Sequence, residues 1–401
     1  MKKIIIIYQK IFLNKDFQRF EIDFYLKKNL KVEIWDIFHL LYKDMPVLKS
    51  DFHNNYKNLS IENFSDSNSF KKALKNIDQH SFVMTGLTPY GKSEWIFLEL
   101  QKNSIIWGYF KLSFYPIDKL SLLGILKTLL LNQSILVDKI SSFKRKLINF
   151  FRLQGAKKNI SPKFIIYAGN KAKENTSFYN KNDLLEISAH SYAYNEFLLD
   201  NNENDKEKDL PDSLIGKKYI LYIDEDVPNH KDPYYHGFKK NLCEKEIFYK
   251  EIKVFFKYLE NKYNCKVVIA TYPRAEYNIK NNPYERIAYK NKTLALVKNS
   301  FLILQHNSTA VTFSVIFNKP IIFMTSRNYL FNYRKSIESL AKELGTKTTS
   351  ISKDNNYDYL NTSINEESYS KYFTNYITSN LDEANKTSAQ ITYEKLFNFF
   401  K

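Results

Sequence analysis

The residues of this chain whose types and spacing best suit chemistry cluster where apolar runs end. Residues 306–309 read His-Asn-Ser-Thr, between the run Phe301–Leu304 and the apolar stretch Ala310–Phe317. A strand giving way to a helix there leaves the first backbone N–H groups of the helix unpaired, and Ser308 or Thr309 can cap it. Such a turn suits an anion, and a phosphate above all. The His306 ring and Asn307 could donate to the same oxygens. An ordinary capped loop in a parallel sheet has the same letters. Asp224-Glu225-Asp226 follow the run Lys218–Ile223. Carboxylates so placed can take a proton from a hydroxyl, accept hydrogen bonds from a ligand's hydroxyls, or bridge a metal and a diphosphate. Tyr272 and Arg274 follow the run Lys266–Ala270, a neutral donor beside a fixed positive charge, and Arg327 follows Ile321–Met324. In the first half, Glu94 stands with Thr88 and Ser93 after the run Phe82–Thr85, and His190 and Tyr194 follow Leu184–Ser188.

Those clusters need elements to hold them. Ile4–Ile7, Lys31–Trp35, Phe82–Thr85, Ser104–Trp107, Lys163–Gly169 and Leu184–Ser188 read as strands, with a helix over Phe17–Lys28. Continuous β-branched runs such as Ile4–Ile7 are typical of strands buried on both faces. In the second half, strands are expected at Lys218–Ile223, Lys266–Ala270, Phe301–Leu304 and Ile321–Met324. Helices are expected at Lys245–Tyr263, Thr293–Lys298 and Ala310–Phe317, with an irregular tail up to a helix near Asp382–Phe400. The apolar positions Ile247, Phe248, Ile252, Phe255, Phe256 and Leu259 give Lys245–Tyr263 one buried face. Short buried strands alternating with helices imply parallel sheets covered on both sides.

Composition narrows the function. At 401 residues the chain has room for two domains. With 9 glycines it carries no glycine-rich dinucleotide or P-loop fingerprint. Its two cysteines, Cys243 and Cys265, have no metal-ligand spacing and fit a reducing cytoplasm. The formal net charge of +17 points to an anionic partner, although a composition rich in Lys, Asn, Ile, Phe and Tyr also follows from an AT-rich genome. No zinc-finger, RNP or basic-zipper pattern is present, so no nucleic acid is expected. The first residues have a basic end but too short an apolar run for a signal peptide, and Leu120–Leu131 is too short to span a bilayer. The expected place is the cytoplasm, peripheral at the inner face of the plasma membrane. Residues 117–160 read as a helical insertion whose Lys139, Lys144, Arg145, Lys146, Arg152, Lys157 and Lys158 would face anionic headgroups through residues 139–158, or simply solvent.

The polar stretch within residues 200–215 is the best linker. It divides a first domain, 1–199, from a second domain, 216–380, with a C-terminal helix at 381–401. Two doubly wound parallel-sheet domains make a cleft, and ligands of such sheets bind beyond the carboxyl ends of the strands. The second domain's polar clusters all follow strands at such ends.

Across residues 216–330 the chain resembles the carboxy-terminal domains of GT-B glycosyltransferases that build bacterial surface polysaccharides. The strand-turn-helix with Ser308-Thr309 and Asn318-Lys319-Pro320-Ile321-Ile322 is similar to teichoic-acid glycerophosphotransferases and capsular Kdo transferases. Bacterial sialyltransferase-like enzymes share the layout. The resemblance implies an α/β GT-B fold of two Rossmann-like domains, and transfer of a sugar from a nucleotide donor to a glycan or lipid-linked acceptor of capsule, O-antigen or lipooligosaccharide. It implies a CDP- or CMP-linked donor, with the CMP-linked acidic sugars favoured. Donor contacts fall to Tyr272, Arg274, His306, Asn307, Ser308 and Thr309, and the acid–base work to Asp224, Asp226 or Glu94. No cofactor is expected, because GT-B enzymes usually handle donors without metal; Mg²⁺ on Asp224-Glu225-Asp226 is the less favoured arrangement. Many relatives carry His-Pro where this chain has Tyr272-Pro273, so the charge there must come from Arg274. A UDP-sugar epimerase-like enzyme and a non-enzymatic basic membrane- or nucleic-acid-binding protein stand as alternatives.

Overall fold

The computed structural model describes residues 2–43, 50–89, 91–113, 116, 160–176, 183–202, 210–230, 241–352, 357 and 360–400. The chain divides into two compact units. The first is Met1–Phe114, Lys119–Tyr192 and Thr378–Lys401; the second is Tyr115–Asp118 and Ala193–Ile377. The basic insertion Lys139–Lys158 and residues 203–209 of the linker lie outside the described residues.

The first unit holds β1 (Lys3–Tyr8), β2 (Lys31–Asp36), β3 (Leu59–Asn63), β4 (Ser81–Thr85), β5 (Trp107–Lys111), β6 (Phe164–Ala168) and β7 (Leu185–Ala189). They form one sheet in the order β3-β2-β1-β4-β5-β6-β7, with every pairing parallel. Side chains alternate across it, as a pleated strand requires. Ile5 and Ile7 join Phe97, Val83 and Trp107 on one face, while Ile4 and Ile6 join Phe82, Ile166 and Leu396 on the other. Both faces are therefore buried, which is why β1 needs an unbroken isoleucine run.

Some elements differ from expectation. The helix expected over Phe17–Lys28 is two, Asn14–Arg19 and Ile22–Lys27, because Glu21 adopts a left-handed conformation (φ 50°) and breaks the hydrogen-bond ladder. The fifth strand starts at Trp107 rather than Ser104, whose own φ of 53° belongs to the turn closing the preceding helix. The polar, half-exposed β3 carries no apolar run and was not expected at all.

The last residues of the chain return to the first unit. The helix Ser388–Phe399 begins with Thr387, whose hydroxyl takes the Gln390 N–H while the Gln390 side chain takes the Thr387 N–H. It buries Ala389, Ile391 and Leu396 against Ile4, Ile6 and Ile22. Two buried groups fasten it. The Glu21 carboxylate accepts the Ala389 N–H at 3.1 Å, and its burial pushes the carboxyl up to about 7. His190 donates its N–H to Ser388 Oγ (2.9 Å) and accepts the Ser388 hydroxyl on its carbonyl (3.0 Å). The His190 ring contacts Thr378 Oγ1 at 2.6 Å and the Glu383 carbonyl at 3.1 Å. A carbonyl can only accept, so Nε2 carries the proton and Nδ1 accepts from Thr378. Both ring nitrogens of this candidate are thus engaged in fastening the C-terminal segment.

The second unit holds β8 (Tyr219–Ile223), β9 (Lys266–Ala270), β10 (Ala288–Tyr289), β11 (Leu302–Gln305), β12 (Ile321–Thr325) and β13 (Thr348–Ser350). Its sheet, again all parallel, runs β10-β9-β8-β11-β12-β13. The helix Lys245–Tyr263 spans the expected residues and buries Phe248, Ile252, Phe255, Phe256 and Leu259; Ile247, expected on that face, is exposed. The expected irregular tail instead contains the helix Phe331–Glu343, which buries Tyr333, Ile337, Leu340 and Ala341. Two doubly wound, Rossmann-like parallel-sheet units are the fold class expected from the sequence. Among the described residues no helix is long and apolar enough to cross a membrane.

The C-terminal helix is a structural part of the first unit, so Leu396→Ala should lower unfolding free energy by about 2–5 kcal/mol. The exposed neighbour Asn398→Ala should change it by less than about 0.5 kcal/mol. Urea unfolding of both variants checks this; equal, small effects would mean the helix is not part of the core.

Candidate functional site

The strand order of the second unit fixes where a ligand can sit. From β8 the chain moves to β9 and β10 on one side, then crosses to β11 on the other and continues to β12 and β13. The loops leaving β8 and β11 therefore diverge, and a crevice opens between them at the carboxyl ends of two neighbouring strands. Asp224–Asp226 leave β8 there, and His306–Thr309 leave β11.

The β8 loop is built around buried carboxylates. Asp224 is 3% exposed. Its Oδ1 accepts the Tyr284 hydroxyl at 2.5 Å and the Asp226 N–H at 2.8 Å. Its Oδ2 accepts the Tyr277 hydroxyl at 2.5 Å and faces the Tyr272 N–H at 3.5 Å. Burial raises its pKa, and the two tyrosine hydroxyls pull it back down. Glu225 reaches across the switch point: Oε1 accepts the Asn307 N–H at 2.6 Å and Oε2 the Tyr333 hydroxyl at 3.3 Å. Burial pushes it up to about 7. Asp226, with φ 49°, accepts the Asn229 amide at 2.8 Å. Burial raises its carboxyl too. Among the described residues, no three His, Cys, Asp or Glu side chains are grouped to hold a metal ion.

His306 sits at the base of its turn with its ring wholly buried. Nε2 pairs with the Tyr329 hydroxyl at 2.8 Å, and Nδ1 has no hydrogen-bond partner among the described residues. The ring lies among Tyr222, Phe248, Tyr329 and Tyr333, at centroid separations of 5.4–6.4 Å. Burial holds its pKa down to about 3, so the imidazole is neutral at physiological pH. Asn307 and Ser308 are half-buried and Thr309 is exposed. The helix is shorter than expected, Val311–Ile316, and its N-cap is Ala310 with no side-chain cap. The capping role expected of Ser308 or Thr309 is thereby corrected: Ser308 stands two residues before the N-cap, and its Oγ accepts the N–H of Ala310 itself at 3.3 Å rather than one from the first turn of the helix.

The second unit thus links Tyr272 and Asp226 through their N–H groups to Asp224 and Asn307 to Glu225, while His306 meets Glu225 through Tyr333; Tyr272 also packs on His230 at 5.3 Å between ring centroids. Arg274 follows in the same loop, half-buried, and Arg327 is exposed after β12. Residues 231–240 lie outside the described residues. Glu94 belongs to the other unit. It begins the helix Glu94–Lys102 after β4, and the preceding Ser93 hydroxyl donates to the Thr88 carbonyl. β4 pairs with β1 at that unit's own switch point. Tyr194 packs against Phe197 and Phe373. Sequence reasoning missed Tyr277, Tyr284, Tyr329 and Tyr333, the hydroxyls that satisfy the buried groups. In a chain with 30 tyrosines, four more carry no signal of their own.

No family model and no curated protein matches this chain. Among solved structures it is similar to the wall teichoic acid polymerase TagF, at 15% identity and a TM-score of 0.40, over 100% of this chain and 84% of that one. It is similar to the UDP-N-acetylglucosamine 2-epimerase of Rickettsia bellii, at 11% and 0.46, over 100% and 96%. The glycotransferase of kitacinnamycin follows at 7% and 0.44, over 99% and 93%. Likenesses this distant assign no activity to this chain.

The buried carboxylates make stability depend on pH. Burial pushes the Glu225 carboxyl from the 4.5 ordinary for a glutamate up to about 7, so the unfolded chain loses its proton first. Stability is then greatest below pH 4.5 with respect to this group, and falls as pH rises to about 7, by on the order of 3 kcal/mol. Glu225→Gln keeps an acceptor for the Asn307 N–H but cannot ionise. Urea unfolding at pH 5 and pH 8 should show a smaller drop in the variant than in the wild type. Equal drops would locate the titration elsewhere.

Proposed function

We propose that the chain is a glycosyltransferase of GT-B type, which moves a sugar from a nucleotide donor to a growing surface glycan. The observation that carries this reading is the switch point between β8 and β11. Polar residues of the β8, β9 and β11 loops meet there, at the carboxyl ends of a parallel sheet. The donor's phosphates sit over the β11 turn, taking hydrogen bonds from Ser308, Thr309 and Asn307, while Arg274 offsets their charge. His306, neutral and buried, supports that turn from below. Sequence resemblance favours a CMP- or CDP-linked donor, and a CMP-linked acidic sugar of nonulosonic or Kdo type.

Transfer requires the acceptor oxygen to bond the anomeric carbon while the carbon–oxygen bond to phosphate breaks. The electron pair leaves on the phosphate, and the acceptor's proton passes to a carboxylate. Asp224 has both oxygens engaged by neighbours, so Asp226 and Glu94 are the better candidates for that carboxylate. The reading needs no metal. Its seat is cytoplasmic, at the inner membrane face if the basic insertion contacts anionic lipid.

The test is calorimetric binding of CMP, CDP, UDP, GDP and ADP, with and without Mg²⁺. CMP or CDP should bind without metal, and Arg274→Ala and Ser308→Ala should each weaken binding about tenfold, the loss of one charged or polar contact. His306→Ala is the poorer probe, because deleting a buried ring would destabilise the unit itself. Binding of UDP alone, with conversion of a free UDP-sugar in the absence of acceptor, would favour the epimerase-like enzyme. No nucleotide binding at all would sink the transferase reading and leave a basic lipid- or nucleic-acid-binding protein, recognisable by steep salt dependence.

A further inference from the structure

The carboxyl group of Glu225 stands against the turn that the transferase reading gives to the donor's phosphates. Its Oε1 accepts the Asn307 N–H at 2.6 Å, and Ser308 and Thr309 follow directly in the chain. Consecutive Cα atoms lie about 3.8 Å apart, so an anion held by Ser308 or Thr309 is on the order of 6–8 Å from that carboxyl. The group is buried, and among the described residues no lysine or arginine pairs with it. The titratable side chains around it are Asp224 and His230 of its own loop, Tyr222 of β8, Tyr329 and Tyr333 after β12, and His306 beyond Tyr333. Burial outweighs the offset from His230, which leaves the carboxyl at about 7.

The geometry suits both protonation states. Ionised, the carboxylate takes the Asn307 N–H on Oε1 and the Tyr333 hydroxyl on Oε2 at 3.3 Å. With a proton on Oε2, Oε1 still accepts from Asn307. The Tyr333 hydroxyl, which has no other partner among the described residues, then turns to accept. No bond to the turn is lost in the change.

We propose that donor binding drives a proton from solvent onto Glu225, so that the carboxyl holding the β11 turn is neutral while a phosphate rests on it. Glu225 is then a positioning residue, which acts through Asn307 and takes no proton from the acceptor. The inference rests on the reading that this turn holds a donor's phosphates. A second negative charge at this distance, in a buried setting, costs more than protonating a group that already titrates near neutrality. A binding step that takes up a proton weakens as pH rises through that range, because the nucleotide must first restore what the free protein has lost.

The experiment is calorimetry of CMP and CDP with the wild type and Glu225→Gln at pH 8, in buffers of low and high ionisation enthalpy. The dependence of the heat on the buffer counts the protons exchanged. The wild type should take up about half a proton per nucleotide, and its Kd should rise about tenfold from pH 7 to pH 9. Glutamine cannot ionise yet keeps an acceptor and a donor in place. In the variant the uptake should vanish and the Kd should stay within about twofold over that range. Titration of the nucleotide's own phosphate is common to both proteins and cancels in the difference. Uptake that persists in the variant would put the proton on another group, such as His230, and overturn the proposal. Binding by the wild type with no uptake and a flat Kd would overturn it too, while the transferase reading stands. A wild type that binds neither nucleotide removes that reading and this inference with it. If Glu225→Gln does not fold, the wild type decides alone. A protonated-carboxyl band should then appear in its infrared difference spectrum when CMP is added at pH 8, and the lack of one would sink the idea.

Discussion

The second unit is organised by the cost of keeping carboxylates out of water. Asp224 and Glu225 follow β8, a central strand of its sheet in which every residue is covered. An unpaired buried carboxylate would cost several kcal/mol, so each must find donors. Those donors come from other loops: Tyr277 and Tyr284 after β9, Asn307 after β11, and Tyr333 in the helix after β12. Satisfying two side chains thus fixes the relative positions of the segments that surround the switch point. Sheet topology decides where the crevice lies, and these carboxylates decide what shape its walls take.

The first unit meets the same requirement with different parts. It too has strands diverging on either side of its first strand, and it too buries a glutamate whose pKa rises to about 7. There, however, Glu21 answers a helix N-terminus, the Ala389 N–H, and His190 adds both faces of its backbone and both ring nitrogens to the same end. The result is closure of the unit by a segment distant in sequence. A helix N-terminus favours negative charge, which is why a carboxylate suits that post. In the second unit the glutamate instead spans two strands, so the same residue type closes a unit in one place and shapes a crevice in the other.

Most of the strand framework was legible in the sequence because strands buried on both faces must be continuously apolar, and little else in a soluble chain looks like Ile4–Ile7 or Tyr219–Ile223. The helix Lys245–Tyr263 was legible for the complementary reason, a 3.6-residue rhythm of large apolar groups. What escaped was set by tertiary context. Leu59–Asn63 lies at a sheet edge, where half-exposed polar residues suffice. The break falls at Glu21, whose left-handed backbone has no glycine or asparagine to announce it and whose carboxylate answers a helix distant in sequence. At the site, the chain positions of Asp224–Asp226, Tyr272 and His306–Thr309 could be placed at strand ends. The direction of each side chain could not, since it depends on tyrosines far away in sequence.

His306 shows what that difference means chemically. Its place after β11 invites a phosphate ligand, but its ring points into an aromatic shell and burial keeps it uncharged. A neutral imidazole bonded to Tyr329 can brace the turn, yet it adds no charge to balance a phosphate. Tyr272, after β9, also supplies no charge. Arg274, half-buried two residues further along the loop after β9, carries the fixed positive charge that neither ring supplies. The same strand-end position thus offers different chemistry according to how deeply the fold buries the side chain, which the residue type alone does not tell.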